Sequence, residues 1–143
     1  MKTVKDLLKD KGHDVFSLAR TDSVYDAIKM MAERAVGALV VLEGGKLAGI
    51  VSERDYARKV ILKGKHSQAT KVGEIMTTRV VCVNSDRSVE ECMALMTDKR
   101  IRHLPVLDGD QLIGVISIGD VVRAVISQKQ FLIEQLERYI TSG

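Results

Sequence analysis

Two stretches of this chain carry the same polar pair at the same spacing. In Gly49-Ile50-Val51-Ser52-Glu53-Arg54-Asp55 a serine follows the glycine by three residues, and an aspartate follows the serine by three. Gly114-Val115-Ile116-Ser117-Ile118-Gly119-Asp120 repeats the arrangement. At a helix start the backbone N–H groups lack partners and favour anions. Ser52 or Ser117 could add a hydroxyl donor to a phosphate there. Asp55 or Asp120, about one turn in, could accept from two neighbouring hydroxyls, as acidic residues in other nucleotide folds accept from a ribose. A plainer role is open as well, with serine as N-cap and aspartate as complement to the helix dipole. That role explains each residue singly. It explains the shared glycine less well, because a strand glycine often marks close backbone approach.

The elements that must position these residues are also duplicated. With residues 15–61 set over 80–126, an offset of 65, fifteen of 47 pairs are identical. Each copy opens on a short extended stretch, Val15–Leu18 or Val80–Val83. A helix follows. Its apolar stripe is Val24, Ala27, Ile28 and Met31 in one copy and Val89, Cys92, Met93 and Met96 in the other. Thr21, Asp22 and Ser23 are N-cap candidates for the first of these helices. Glycine-containing turns between apolar runs then predict a β-hairpin, and a second helix starts just after the serine. The unit is therefore β-α-β-β-α, used twice. One unit is too small to cover both faces of its sheet, so the copies are expected to pair. Short leaders precede them, Val4-Lys5-Asp6-Leu7-Leu8 and Val72-Gly73-Glu74-Ile75-Met76, with three extra residues after the first. The tail beyond Ile126 has no counterpart. Leu132, Ile133, Leu136 and Ile140 at helical spacing extend the last helix, either against its own domain or against a second copy.

Composition narrows the function. The chain is 45% hydrophobic and 29% charged, with a net charge of +3. That balance suits a globular domain and an anionic ligand, without the dense basic face of a nucleic-acid binder. Tyr25, Tyr56 and Tyr139 make no interleaved stacking pattern. The basic run Arg54, Arg58, Lys59, Lys63 and Lys65 reads as a solvated face, so neither nucleic acid nor membrane is an expected partner. No apolar run approaches the length of a membrane span, and Met1 to Asp6 lacks a signal core. Cys82 and Cys92 lack metal-ligand spacing and read as small, partly buried residues in a reducing, cytoplasmic setting, with no disulfide. No nucleophile–base pairing, metal cluster or phosphate loop argues for an enzyme.

The duplicated unit with its Gly-x-x-Ser-x-x-Asp motif resembles the cystathionine-β-synthase (CBS) domain pair. Glu74-Ile75-Met76-Thr77 and Ile101-Arg102-His103-Leu104-Pro105-Val106 are similar to that family too, and the likeness runs from Val4 to about Ser127. The chain is most similar to small bacterial stand-alone members. The resemblance implies an α/β (α+β) fold of two repeats paired by pseudo-two-fold symmetry. The first repeat with its leader takes residues 1–66, the second 67–127, and a helical extension 128–143. It further implies adenosyl ligands (AMP, ADP, ATP or NAD) in clefts between the repeats, with aspartate on the ribose and serine on phosphate. Carried over by position, one site uses Ser52 and Asp55 with Thr77, Val81, Ile101, Arg102 and His103. The other uses Ser117 and Asp120 with Phe16, Val36, Gly37 and Ala38.

The two sites differ. Arg102 and His103 lie over Gly37 and Ala38, and Arg54 lies over Gly119. The Asp55 site is thus expected to favour more phosphate charge, since charge-assisted contacts are the stronger ones. His103 could tune phosphate affinity near neutral pH, or simply pack at a strand end. His13 and His66 read as surface residues. Lys9 stands where the second leader has Thr77, which sets the Asp120 site apart. Three functions are weighed: a nucleotide-sensing regulatory module acting on an unidentified protein, a scaffold with vestigial sites, and, least favoured, an enzyme. A homodimer is expected.

Overall fold

The computed structural model describes residues 2–142, with side chains described through Ile140. The element order is α1 (Val4–Lys11), β1 (Ser17–Leu18), α2 (Val24–Arg34), β2 (Ala38–Glu43) and β3 (Lys46–Ser52). Then come α3 (Glu53–Tyr56), a π-helical turn (Ala57–Ile61), α4 (Val72–Ile75) and α5 (Val89–Lys99). Finally β4 (His103–Asp108), β5 (Gln111–Ser117) and α6 (Ile118–Ser142) complete the chain. It divides into two compact units that do not follow the order of the repeats. One holds the leader up to His13, Cys82–Asp108 and everything from Ile113 on. The other holds Asp14–Val81 and Gly109–Leu112. The repeats have exchanged leaders.

In the unit containing Asp14–Val81, a three-stranded sheet runs β1-β2-β3, with β1 parallel to β2 and β2 antiparallel to β3. Gly44 and Gly45, both at positive φ, make the hairpin turn that β-branched residues would resist. Ser23 caps α2 by accepting from the Asp26 N–H, so of the three cap candidates the serine is the cap. Val24, Ala27 and Met31 of α2 pack with Leu39, Val41 and Val51 of the sheet and with Val60, Val72 and Ile75. Each fully buried aliphatic side chain contributes about 1.5–3 kcal/mol. The second leader completes this core. Its bonds run Val24 N–H to Thr70 O (2.8 Å) and Val72 N–H to Asp22 O (2.8 Å).

The other unit repeats the plan with the first leader. Val4 N–H donates to Arg87 O (2.8 Å) and Val89 N–H to Lys2 O (2.9 Å), just before α5, which Ser88 caps. Val4, Leu8, Val89, Cys92, Leu104 and Ile116 are fully buried. Here β4 and β5 form a two-stranded sheet. The expected strand at Val80–Val83 is reduced to one bridge, Val83 with Val106. In the other sheet Val40 N–H donates to Phe16 O; Pro105 stands at the position of Val40 and has no N–H to give.

Candidate functional site

Both serine–aspartate pairs lie where a strand ends and a helix begins. Ser52 caps α3. Its Oγ accepts from Asp55 N–H (3.2 Å), and Asp55 Oδ2 accepts from Ser52 N–H (2.9 Å) and Ser52 Oγ–H (3.1 Å). Ser117 does the same for α6: Oγ accepts from Asp120 N–H (3.2 Å), and Asp120 Oδ2 from Ser117 N–H (2.8 Å). The plainer capping role is thus realised in both copies. Because each box folds back on its own residues, each carboxylate keeps a fixed direction and stays mostly covered, 13% exposed at Asp55 and 9% at Asp120.

The shared glycine has its own structural reason. A Cβ at Gly49 would lie 2.8 Å from the Thr77 carbonyl oxygen, and one at Gly114 would lie 2.7 Å from Leu8 Cδ2. Each glycine admits the leader that packs over its strand, so the close approach is made by protein.

Cations distinguish the copies. Lys59 Nζ sits 3.1 Å from Asp55 Oδ1 and also donates to Ile75 O (2.8 Å). Asp120 meets two cations: Lys11 Nζ on Oδ2 at 2.6 Å and Arg123 Nη2 on Oδ1 at 2.8 Å. Lys11 Nζ also donates to Val115 O at 2.6 Å. Burial works to raise the Asp120 carboxyl, but the Lys11 ammonium and the Ser117 donors outweigh it and hold it below the usual carboxylate range. A pocket of about 330 Å³ opens beside this pair, walled by Lys2, Asp10, Lys11 and Arg123. Lys59 and Arg123, one turn on from their aspartates, were legible as helical pairs. Lys11, 109 residues from Asp120, gave no local signal.

The remaining candidates fall as follows. Phe16, Val36, Gly37, Ala38, Ser52, Arg54, Asp55, Thr77 and Val81 belong to one unit, and Ile101, Arg102, His103, Ser117 and Asp120 to the other. Each set implied by the family resemblance therefore draws on both units. Within its own unit each hairpin entrance adjoins its own motif. Ala38 is the register partner of Ser52, and Gly37 O accepts from Glu53 N–H (3.1 Å). Arg102 O accepts from Ile118 N–H (2.8 Å). Both entrances follow a helix ended by a left-handed residue, Ala35 (φ 53°) or Arg100 (φ 55°). Phe16 lies under the Arg34 guanidinium, 5.0 Å from ring centre. Thr77 pairs through its backbone with Ile50, donating at 2.8 Å and accepting at 3.0 Å.

Among the described residues no group of three His, Cys, Asp or Glu side chains could hold a metal ion. Burial raises both thiols, that of Cys92 to about 11, so neither is a thiolate nucleophile at neutral pH. Among the described residues no helix is long and apolar enough to cross a membrane.

Comparison with known proteins gives the context of this geometry. The family model described as "CBS domain" matches residues 4–62 and again 72–127. The chain is 45% identical over 150 residues to the CBS domain-containing protein CBSX3, mitochondrial, of Arabidopsis thaliana, covering 99% of this chain and 73% of that one. A solved structure of a protein with CBS domains from Burkholderia ambifaria superposes with a TM-score of 0.85 at 56% identity, over 88% of this chain and 95% of that one. The CBS domain pair of protein MJ0100, solved with 5-methylthioadenosine and S-adenosyl-L-methionine, superposes with a TM-score of 0.79 at 25% identity, over 90% and 98%.

Proposed function

The chain belongs to the CBS-domain family, and from that premise we propose that it is a non-catalytic regulatory module that binds adenosyl ligands at its serine–aspartate motifs. The carrying observation is the pair itself: a hydroxyl and a carboxylate, rigidly held and mostly covered, at the first turn of α3 and again of α6. That is the donor–acceptor set a nucleoside phosphate needs. The adenosyl compounds held by the MJ0100 pair support the ligand class. Asp55 and Asp120 are assigned to ribose hydroxyls and Ser52 and Ser117 to phosphate. Thr77, Val81, Ile101 and His103, with Phe16, Val36, Gly37 and Ala38, are assigned to the adenine surroundings. Arg54 and Arg102, both exposed cations beside a motif, are assigned to phosphate charge. AMP, ADP, ATP and NAD are the ligands to try. Binding would regulate a partner protein only by favouring one of two arrangements of the module. A cytoplasmic setting accords with Cys82 and Cys92, which form no disulfide with each other.

The test is calorimetric titration of nucleotide-stripped protein with each ligand. Micromolar heat with one of them supports the module. Silence with all of them, on folded protein, favours the scaffold.

A homodimer is part of the same proposal, carried by α6. Phe131, Leu132, Ile133, Leu136, Tyr139 and Ile140 are 54–79% exposed. Phe131 falls on the opposite side of the helix; the other five, with Val122 and Ile126 at roughly 100 Å² each, offer about 700 Å² per chain, close to the share each partner gives to a standard interface.

A further inference from the structure

We infer that Lys11 decides which serine–aspartate motif is open: it closes the Asp120 motif from within and leaves Asp55 to take the ligand. The inference rests on the adenosyl reading above.

The leaders end differently. Over the first repeat, Thr77 N–H donates to Ile50 O at 2.8 Å. Val115 is the counterpart of Ile50, and its carbonyl receives the Lys11 ammonium at 2.6 Å. The extra residues after the first leader extend α1 to Lys11. A cation on a helix thus replaces a backbone amide, and the same ammonium lands on Asp120 Oδ2.

Acceptor positions can be counted. An ionised carboxylate offers about four, and vicinal hydroxyls require two. Among the described residues, Asp55 accepts from Ser52 N–H, Ser52 Oγ–H and Lys59. One position is vacant. A second is freed when the Ser52 hydroxyl rotates, which turns that hydroxyl toward a phosphate. No cation has to leave. Asp120 accepts from Ser117 N–H and the Ser117 hydroxyl, from Lys11 and from Arg123. None is vacant; rotation of the hydroxyl frees one, and the second can come only from a cation or from the backbone cap. An ammonium or guanidinium brings a full opposite charge to the carboxylate and a sugar hydroxyl brings none, so the exchange is unfavourable. Gly119 reinforces the closure: a Cβ there would lie 3.3 Å from Arg123 Nη1, and in the first repeat the residue is Arg54. The low pKa of Asp120 is in keeping with this, since the carboxylate is already paid for by its neighbours.

The test is calorimetric titration of the stripped full chain with AMP. The parent should bind one AMP per chain, and Asp55→Ala should reduce the heat to baseline. Lys11→Met should bind two per chain, and Lys11→Met with Asp55→Ala should bind one. Lys11→Arg, which keeps the cation, should stay at one. Two sites in the parent, or one AMP still bound by Asp55→Ala alone, overturns the closure and leaves the adenosyl reading standing. So does a Lys11→Met protein that melts cooperatively and still binds only one. No heat from AMP, ADP, ATP or NAD in any of these proteins overturns both.

Discussion

At the residue scale, Asp55 and Asp120 are the same side chain in the same capping box, set apart by what reaches them. Hydrogen bonds to a charged group are worth about 1.5–3 kcal/mol each. Asp55→Ala should therefore weaken adenine-nucleotide binding at least tenfold, read as a rise in Kd by calorimetry; parent-like binding by Asp55→Ala and Asp120→Ala alike would remove the ribose assignment. Arg102→Ala should cost more affinity for ATP than for adenosine, and equal losses would place the guanidinium away from the phosphates. The pH dependence has a definite sign. Asp120 is held below the usual carboxylate range in the folded chain. Its contribution to stability is complete above the unfolded value of about 3.9 and is lost as pH falls through the lower folded value. Asp120→Asn should accordingly flatten the acid limb of a plot of Tm against pH below about pH 4. An acid limb that keeps its slope would mean the carboxylate gains nothing from Lys11 and Arg123.

At the element scale, the leaders are structural members of the repeat they pack on. Each is threaded past a glycine that leaves no room for a methyl group. The two glycines should not be equally sensitive. At Gly49 the obstacle is a backbone oxygen held in its bridge to Ile50, which cannot easily give; at Gly114 it is the end of a leucine side chain, which can rotate. Overpacking costs typically 1–3 kcal/mol. Gly49→Ala should lie at the upper end of that range and Gly114→Ala at the lower, measured by urea unfolding; the reverse order would count against the close approach at Thr77. The π-helical turn at Ala57–Ile61 marks another divergence, since α6 runs unbroken through the equivalent positions. Such turns are often found at functional sites, and this one carries Lys59.

At the scale of the whole molecule, α6 is buried at its start, at Val121 and Ala124, and exposes apolar side chains from Ile126 on. An apolar groove of about 750 Å³ between α5 and α6, lined by Met93, Ala94, Val125 and Leu132, continues into the exposed stripe. Monomeric proteins rarely display so much contiguous apolar surface. Paired Leu132→Asp and Leu136→Asp substitutions should convert a dimer to a monomer by light scattering, with Tm little changed because both side chains are already more than half exposed. A dimer that survives both changes would have its interface elsewhere.

Much of this was legible in the sequence because it is local or repeated. Hairpins announced themselves through glycine turns, helices through apolar stripes and serine caps, and the motif through its recurrence at an offset of 65. Family membership followed from those patterns together. Contacts between distant parts of the chain were not legible. Spacing reveals which residues share a helix face, but says nothing of which leader lies on which repeat, so the exchange of leaders and the meeting of Lys11 with Asp120 emerged only in three dimensions. The same limit applied to Gly49 and Gly114, whose repetition pointed to a close backbone approach without showing that a leader makes it. Sequence alone determined which groups could do chemistry. Tertiary structure decided which of them are already engaged, because a long side chain such as lysine can reach a carboxylate more than a hundred residues away once the chain has folded.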